Sequence, residues 1–169
     1  MRHRPPRLRH FDYRGFCRCF LTASTQDRRR AFADADFAAA AVAQLLRCGD
    51  RFGSETTAYC LMPDHVHVLW TGTGEDAEPL TAFARWRQWT GFTWRRQAPT
   101  PLWQDGYWDY VLRDHEESLG VAAYIVNNPV RAGLVQAASD YPFVGSSRFT
   151  LDALITAVQM RPGVRSPGL

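Results

Sequence analysis

The sequence predicts an α+β fold: a ferredoxin-like sandwich in which helices pack on a mainly antiparallel sheet of four to five strands. The main observation is the order of its segments, which run strand, helix, strand, strand, helix, strand before one added helix. The length agrees, because 169 residues without a repeat or an internal linker fit one domain of ordinary size. We expect this domain at residues 13–148, between a basic flexible arm at 1–12 and a C-terminal helix with a frayed tail at 149–169.

The first strand and the first helix have clear sequence signals. An aromatic, β-compatible run predicts a strand over residues 16–22. An alanine-rich stretch with apolar residues at helical spacing follows it. Asp34 or Asp36 is placed to cap the start of this helix, and Gly49 stands where a C-terminal cap belongs.

A hairpin and a second helix come next. Two short apolar runs, at 56–61 and 65–70, predict the hairpin because the proline and aspartate between them favour a turn. Pro79 fits the first position of a helix that extends to about Gln97, where further prolines close it.

The last predicted elements of the domain are a fourth strand over residues 107–112 and a third helix. Asp114 can cap that helix, and Glu117 stands three residues further on as its capping-box partner. Pro129 discourages the helix from continuing past Asn128.

The charge pattern is compatible with a surface that contacts phosphates. The formal net charge is +3, and all 20 basic residues are arginines, whose planar forks suit phosphate oxygens. Residues 2–14 carry five arginines against one acid, and residues 79–104 carry four against none. A GC-rich genome explains the arginine usage equally well, and solvated surface charge explains the two basic segments.

The chain is expected to be cytoplasmic, with no membrane partner. It has no run of about 18 apolar residues and no apolar segment behind its basic N-terminus. Its four cysteines form no C-x-x-C pair, so we expect free thiols in a reducing compartment. They are Cys17, Cys19, Cys48 and Cys60.

His65 and His67 form the first pattern with chemical meaning. Side chains alternate along a strand, so both imidazoles should face one side while Val66 and Val68 face the other. Two neutral imidazoles held at a fixed separation can share a divalent cation. An isolated pair of this kind is more often two hydrogen-bonded histidines in a half-buried strand, so the pair alone does not decide.

Tyr124 and Asn128 form the second pattern, because their i, i+4 spacing places them one turn apart on one helical face. We expect the apolar stripe of this helix at Leu119, Ala122, Ala123 and Val126. Tyr124 lies far from that stripe on the helical wheel. Either the stripe docks somewhere other than on the sheet, or the tyrosine serves the histidines of a neighbouring subunit, so a monomer and a homodimer both remain open.

Together these residues predict a phosphoryl-transfer site. His65 and His67, with the amide oxygen of Asn128 as a third ligand, would hold Mg²⁺ or Mn²⁺, which can polarise a phosphoryl oxygen. Tyr124 would be the nucleophile, and a covalent phosphotyrosine would conserve the bond energy for religation.

Three sequence blocks and a closing motif carry a resemblance to a known family. The blocks are YCLMPDHVHVL at 59–69, LWQDGYW at 102–108 and YIVNNPVRAGLV at 124–135, and the closing motif is Tyr141-Pro142-Phe143 with Ser146-Ser147. The sequence resembles the REP-associated tyrosine transposases, a branch of the HUH single-strand-DNA transposases with one catalytic tyrosine. The resemblance extends from about Tyr13 to Arg148.

The resemblance implies a function and a set of site residues. His65 and His67 would be the metal-binding HUH pair, with Asn128 at the position of the third ligand. Tyr124 would attack a phosphodiester of single-stranded DNA and yield a 5′-phosphotyrosine and a free 3′ hydroxyl. Members of the family recognise short imperfect hairpins in repetitive extragenic DNA. We therefore expect a bacterial, nucleoid-associated nicking and strand-transfer enzyme whose partner is single-stranded or hairpin DNA.

Arginines and aromatic residues supply the candidate DNA contacts, which are Arg14, Arg85, Arg87, Trp89, Arg95, Arg96 and Arg131. The tryptophans at 86, 89 and 94 can stack on unpaired bases or belong to the core, and we expect at least two of them in the core. The main alternative function is that of a domesticated, non-catalytic hairpin-binding protein. A metal-dependent hydrolase of small phosphate esters would leave Tyr124 unexplained.

Overall fold

The computed structural model describes residues 12–112 and 115–160, without the side chains of residues 115–117. The strands are β1 (Arg18–Ser24), β2 (Ser54–Met62), β3 (His65–Gly72), β4 (Trp108–Leu112) and β5 (Val144–Gly145). The helices are α1 (Ala35–Arg51), α2 (Pro79–Trp94), α3 (His115–Val126), α4 (Asn128–Arg131) and α5 (Leu151–Gln159). The predicted arm through residue 11, the tail from residue 161 and the predicted cap at Asp114 lie outside the described residues.

The five strands form one antiparallel sheet in the order β4-β1-β3-β2-β5. The first four strands and the helices α1 and α2 follow the ferredoxin-like plan, which confirms the predicted fold class. β5 adds a short fifth strand beside β2. The register pairs Ser24 of β1 and Met62 of β2 with His65, so the start of β3 lies between the ends of its two neighbours.

Each face of the sheet has its own core. Alternation along β1 and β3 sends Leu21, Val66 and Val68 toward α1 and α2, where they are fully buried. The same alternation sends Phe20 and Leu69 to the opposite face, where α3 and α5 pack. The histidines alternate with the two valines, so they belong to the α3 face.

The helix α1 begins where it was predicted and ends later. The Asp34 side chain accepts a hydrogen bond from the backbone N–H of Phe37 at 3.0 Å, which confirms an N-cap at Asp34. Gly49 does not end the helix, which continues to Arg51. A Cβ atom at Gly49 would lie 2.9 Å from Nε1 of Trp70 and 3.0 Å from the carbonyl oxygen of Ser54. Close packing of the helix on the sheet therefore accounts for this glycine.

This close approach gives a stability prediction. We expect Gly49→Ala to lower the free energy of unfolding by about 1–3 kcal/mol, because the added methyl group has no space beside Trp70. Urea denaturation followed by tryptophan fluorescence measures the change. Gly74→Ala is the matched control, since a Cβ there meets no atom within 4 Å. Equal stability of the two variants would contradict the packing role of Gly49.

The apolar stripe of α3 differs from the predicted one. The buried apolar side chains are Val121, Ala122, Ile125 and Val126, whereas Leu119 and Ala123 are partly exposed. The stripe is rotated toward Tyr124, whose half-buried ring packs at the margin of the core beside Phe20. The prediction that Tyr124 lies far from the apolar stripe was wrong. The rotated stripe docks on the sheet.

The predicted tryptophans divide between core and surface. Trp86 is fully buried, and its Nε1 donates to the carbonyl of Ala41 at 2.8 Å. Trp94 packs against Phe37 with ring centroids 5.6 Å apart, and Trp89 is partly exposed. Of the two core tryptophans expected, Trp86 is fully buried, and Trp94 is partly buried against the same core.

Two further expectations can be compared with the described residues. All four cysteines are free, and Cys19, Cys48 and Cys60 are buried. No helix in the described ranges is both long and apolar enough to span a bilayer.

Candidate active site

The β2–β3 hairpin places His65 and His67 side by side. Both lie on β3, with ring centroids 4.8 Å apart and planes at 83°. Val66 and Val68 are buried in the opposite core, so the predicted alternation is confirmed. The two rings meet at the end of the sheet where β3 begins, beneath α3.

The Nδ1 atom of each histidine ring has a partner. His65 Nδ1 lies 2.6 Å from Oδ1 of Asp64, and His67 Nδ1 lies 2.7 Å from Oγ1 of Thr22. A carboxylate only accepts, so Nδ1 of His65 carries the proton and, in the neutral ring, Nε2 keeps its lone pair. The Thr22 hydroxyl can donate or accept. If it accepts from Nδ1 of His67, Nε2 of His67 also keeps its lone pair.

Burial holds both imidazoles in the neutral form. His67 is only 4% exposed, and burial lowers its pKa well below the usual value, with the nearby charges of His65, Arg28 and Arg131 acting in the same direction. Burial also lowers the pKa of His65, although the hydrogen bond and the charge of Asp64 oppose that shift. Neutral imidazole is the form that binds a metal ion.

The pKa of His67 leads to a pH prediction for the metal-free protein. The unfolded chain takes up a proton near pH 6.5, while folded His67 stays neutral to lower pH. The unfolded state therefore binds more protons below pH 6.5, so we expect the free energy of unfolding to fall as the pH drops through this range. Urea denaturation in EDTA between pH 7.5 and 5 measures the slope. His67→Gln should have the smaller slope, and equal slopes would contradict the assignment.

Tyr124 lies beside the histidines of its own chain. Its ring centroid is 5.3 Å from that of His67 and 6.1 Å from that of Phe20, with an edge-on arrangement in both cases. The guanidinium carbon of Arg131 lies 5.0 Å from the centre of the Tyr124 ring. The structure therefore brings the tyrosine to the histidine pair without a second subunit.

Asn128 is the first residue of α4, and its side-chain Nδ2 donates to the carbonyl oxygen of Tyr124 at 3.3 Å. This hydrogen bond involves only the amide nitrogen. The amide oxygen, which the sequence predicts as the third metal ligand, takes no part in it. In the part of the chain that the structure describes, no group of three or more His, Cys, Asp or Glu side chains is placed to hold a metal ion. Neutral imidazole nitrogens and an amide oxygen are nevertheless donor types that a divalent cation accepts.

Arginines and one tryptophan on and next to α2 form an exposed band. Arg85, Arg95 and Arg96 are exposed, and Trp89 is partly exposed. The exposed Phe92 lies in the same band, with the guanidinium carbon of Arg96 at 5.1 Å from its ring centre. Sequence reasoning missed Phe92, although its position between Trp89 and the arginine pair was a usable signal.

Arg14 and Arg87 have other surroundings. The half-buried Arg87 donates from Nη2 to the carbonyl of Gln104 at 2.8 Å and lies over the rings of Trp103 and Tyr107. Arg14 forms an ion pair of 2.6 Å with Glu78, near the end of the sheet opposite His65. Both arginines, which were predicted to contact DNA, therefore have intramolecular partners in this structure.

Sequence reasoning also missed Thr22, Asp64 and Arg28 as residues of the site. Oδ2 of Asp64 lies 3.0 Å from Nε of Arg28, so one carboxylate connects Arg28 to His65. Asp64 was interpreted only as a turn residue, although its place directly before His65 was the available signal. Arg28 belongs to a triple arginine whose closeness to the hairpin is a tertiary feature.

Comparisons with known proteins agree with this fold. The chain is 27% identical to a Haemophilus influenzae protein provisionally named a REP-associated tyrosine transposase, over 73% of this chain and 76% of the relative. It is 29% identical to the REP-associated tyrosine transposase of Escherichia coli K12, over 53% of this chain and 52% of the relative. No family model matches the chain.

A solved structure shares the fold. It is that of a REP-associated tyrosine transposase bound to a REP hairpin, with a TM-score of 0.64, 22% identity, and coverage of 80% of this chain and 79% of that chain. In sequence this chain is therefore similar to two proteins named as REP-associated tyrosine transposases, and in fold it is similar to a solved structure of that name.

Proposed function

We propose that this chain binds hairpin DNA with an unpaired flank and cuts and transfers one strand through a phosphotyrosine on Tyr124. The observation that carries the proposal is the edge-on contact between Tyr124 and His67 in one chain, with ring centroids 5.3 Å apart. The names of the relatives and the hairpin bound in the structural neighbour support the substrate class. The candidate nucleophile Tyr124 and the candidate metal ligands His65, His67 and Asn128 are all present, which argues against a protein that binds hairpins without cutting them.

The proposed reaction is an in-line displacement at phosphorus. The phenolic oxygen of Tyr124 attacks and the bond from phosphorus to the 3′ oxygen breaks. The proton of the phenol passes through solvent to the released 3′ oxygen, which becomes the free 3′ hydroxyl. The 5′ phosphate of the other fragment remains esterified to the tyrosine. Attack by a second 3′ hydroxyl then transfers the strand and regenerates the phenol.

A metal ion fits this scheme at the histidine pair. His65, His67 and Asn128 would hold it, and Mg²⁺ or Mn²⁺ there would supply Lewis-acid polarisation of a phosphoryl oxygen. The protein's own contribution is to keep both imidazoles neutral by burial and to hold Tyr124 against His67. The guanidinium of Arg131 lies over the tyrosine ring, which supports a role for this residue in pairing with an oxygen of the scissile phosphate.

The experiment that tests the function uses a labelled hairpin oligonucleotide with an unpaired flank, purified protein and Mn²⁺. We expect a protein–DNA species that survives denaturing electrophoresis and carries the 5′-phosphate fragment, together with a free fragment ending in a 3′ hydroxyl. Binding of the hairpin without this species would favour the non-catalytic alternative. Failure to bind the hairpin would contradict both hypotheses.

We propose that the exposed band on α2 contacts the unpaired flank. The band contains basic and aromatic side chains, and residues 79–104 include no acid to oppose a phosphate backbone. The C-terminal end of α2 is at the same end of the fold as the site. Trp94 of α2 packs on Phe37, which stacks on Phe32. The backbone N–H of Phe32 donates to the carbonyl oxygen of Pro63, in the turn that precedes His65.

Phe92 provides the prediction for this surface. Its side chain is 62% exposed and packs only partly against protein, so we expect Phe92→Ala to weaken binding of a single-stranded flank by about 1–3 kcal/mol with little change in stability. Fluorescence anisotropy with a labelled oligonucleotide measures the loss. Phe149→Ala is the matched control, because Phe149 is 41% exposed and has its own arginine, Arg148, at 5.1 Å. Equal losses for both variants would contradict a specific role for Phe92.

A further inference from the structure

Asp64 connects His65 to an arginine from a different part of the chain. Its Oδ1 lies 2.6 Å from Nδ1 of His65, and its Oδ2 lies 3.0 Å from Nε of Arg28. Arg28 follows β1, whereas Asp64 belongs to the turn between β2 and β3. Each carboxylate oxygen has its own donor, so the carboxylate cannot rotate without losing one of the two contacts.

The guanidinium of Arg28 has a second point of attachment. Its Nη1 donates to Oγ of Ser24 at 2.9 Å, and Ser24 is the residue of β1 that pairs with His65. The guanidinium therefore spans from the end of β1 to the carboxylate of Asp64. This arrangement limits where the carboxylate can lie relative to the imidazole.

The backbone that presents Arg28 has an uncommon conformation. Asp27 and Arg28 have φ angles of 53° and 55°, in the left-handed region that costs free energy for residues other than glycine. Thr25 holds this loop against the turn. Its N–H donates to the carbonyl of Asp64 at 2.9 Å, and its buried hydroxyl lies within 2.9 Å of that carbonyl and 2.7 Å of the carbonyl of Arg29.

Stability does not account for this arrangement. The side chain of Arg28 is 55% exposed, and an ion pair with so much solvent access contributes little to folding. Asp27 and Arg28 nevertheless adopt left-handed conformations in succession where the guanidinium reaches Asp64. Strain of this kind persists where surrounding contacts over-determine it, and it concentrates at functional sites.

We propose that Asp64 and Arg28 are positioning residues that fix the tautomer and the ring orientation of His65, leaving its Nε2 unprotonated for the phosphoryl-transfer site. The role in phosphoryl transfer rests on the proposed function, whereas the contacts among Arg28, Asp64 and His65 do not depend on it. Asp64 accepts from Nδ1, and Arg28 keeps the carboxylate turned toward the ring. His67 lacks such a device, because its Nδ1 partner is the Thr22 hydroxyl, which can donate as well as accept.

The test is the tautomeric state of His65 in the metal-free protein, measured by long-range ¹H–¹⁵N NMR with labelled histidine. A His65→Gln variant assigns the signals. We expect wild type to be in the Nδ1–H form and both Asp64→Ala and Arg28→Ala to gain the Nε2–H form. Glu55→Ala and Arg148→Ala are matched controls, since they break a similar exposed ion pair of 3.1 Å outside the site. They should leave the His65 signals unchanged.

Calorimetric titration with Mn²⁺ alone is the second measurement. Loss of a partner that orients a metal ligand costs about 10- to 100-fold in metal affinity, and we expect Asp64→Ala to fall in that range and Arg28→Ala to lose less. Arg28→Ala removes an exposed side chain, so it stays informative if Asp64→Ala fails to fold. An Nε2–H tautomer in wild type, or variants that keep both the wild-type tautomer and the wild-type affinity, would overturn the proposal. A changed tautomer in a protein that never cuts DNA would instead uphold the positioning role and refute the proposed function.

Discussion

Changing Tyr124 to phenylalanine is expected to lower the rate of strand cleavage at least about 10³-fold, while the hairpin affinity stays at the wild-type value. The substitution removes only the phenolic oxygen. The remaining ring can still pack against Phe20 and His67 and under Arg131, so the fold and the DNA-binding surface should persist. Single-turnover cleavage of a labelled hairpin oligonucleotide measures the rate.

The matched control for this variant is Tyr110→Phe. Tyr110 is also half-buried and belongs to the same core face, where it stacks on Trp108 with ring centroids 5.9 Å apart. We expect it to cut DNA at the wild-type rate. Cleavage retained by Tyr124→Phe, or lost equally in Tyr110→Phe, would remove Tyr124 as the nucleophile.

Replacing His67 by alanine should abolish Mn²⁺ binding and slow cleavage by about 10²- to 10⁴-fold, which corresponds to the several kcal/mol that a Lewis acid contributes. His67 is buried between His65 and Tyr124, so the variant lacks a ligand at the centre of the proposed site. Calorimetry with Mn²⁺ and the single-turnover assay measure the two effects.

Loss of a buried side chain also lowers stability, and Val68→Ala controls for that effect. Val68 is fully buried on the same strand but faces the opposite core. We expect Val68→Ala to be destabilised by about 1–2 kcal/mol and to keep Mn²⁺ binding and cleavage at low temperature. Undiminished Mn²⁺ affinity in His67→Ala would contradict the predicted metal site.

Local signals were sufficient to predict most of the fold. Asp34 caps α1 and Pro79 begins α2, because a capping oxygen and a proline act on their own immediate backbone. The role of Gly49 depends on its closeness to Trp70, a tertiary contact that no local pattern encodes. The stripe of α3 was misplaced because alanines suit either face of a helix, and only Ala122 of the pair 122–123 is buried.

Residues of the candidate site were predictable when their type and their spacing in the sequence already indicated the chemistry. His65, His67 and Tyr124 meet that condition, and the structure brings them together. Arg28 and Asp64 do not, since their contact forms only when the loop after β1 packs on the hairpin turn. Charge alone likewise did not separate the half-buried Arg87 from its exposed neighbours on α2.

The central claim is that Tyr124 works with the histidines of its own chain. Mixing Tyr124→Phe protein with His67→Ala protein in one cleavage reaction tests it most directly. In the arrangement described here each variant lacks one half of its own site, so we predict that the mixture cuts hairpin DNA no faster than either variant alone. Recovery of cleavage in the mixture would mean that tyrosine and histidines come from different subunits, and it would contradict the account.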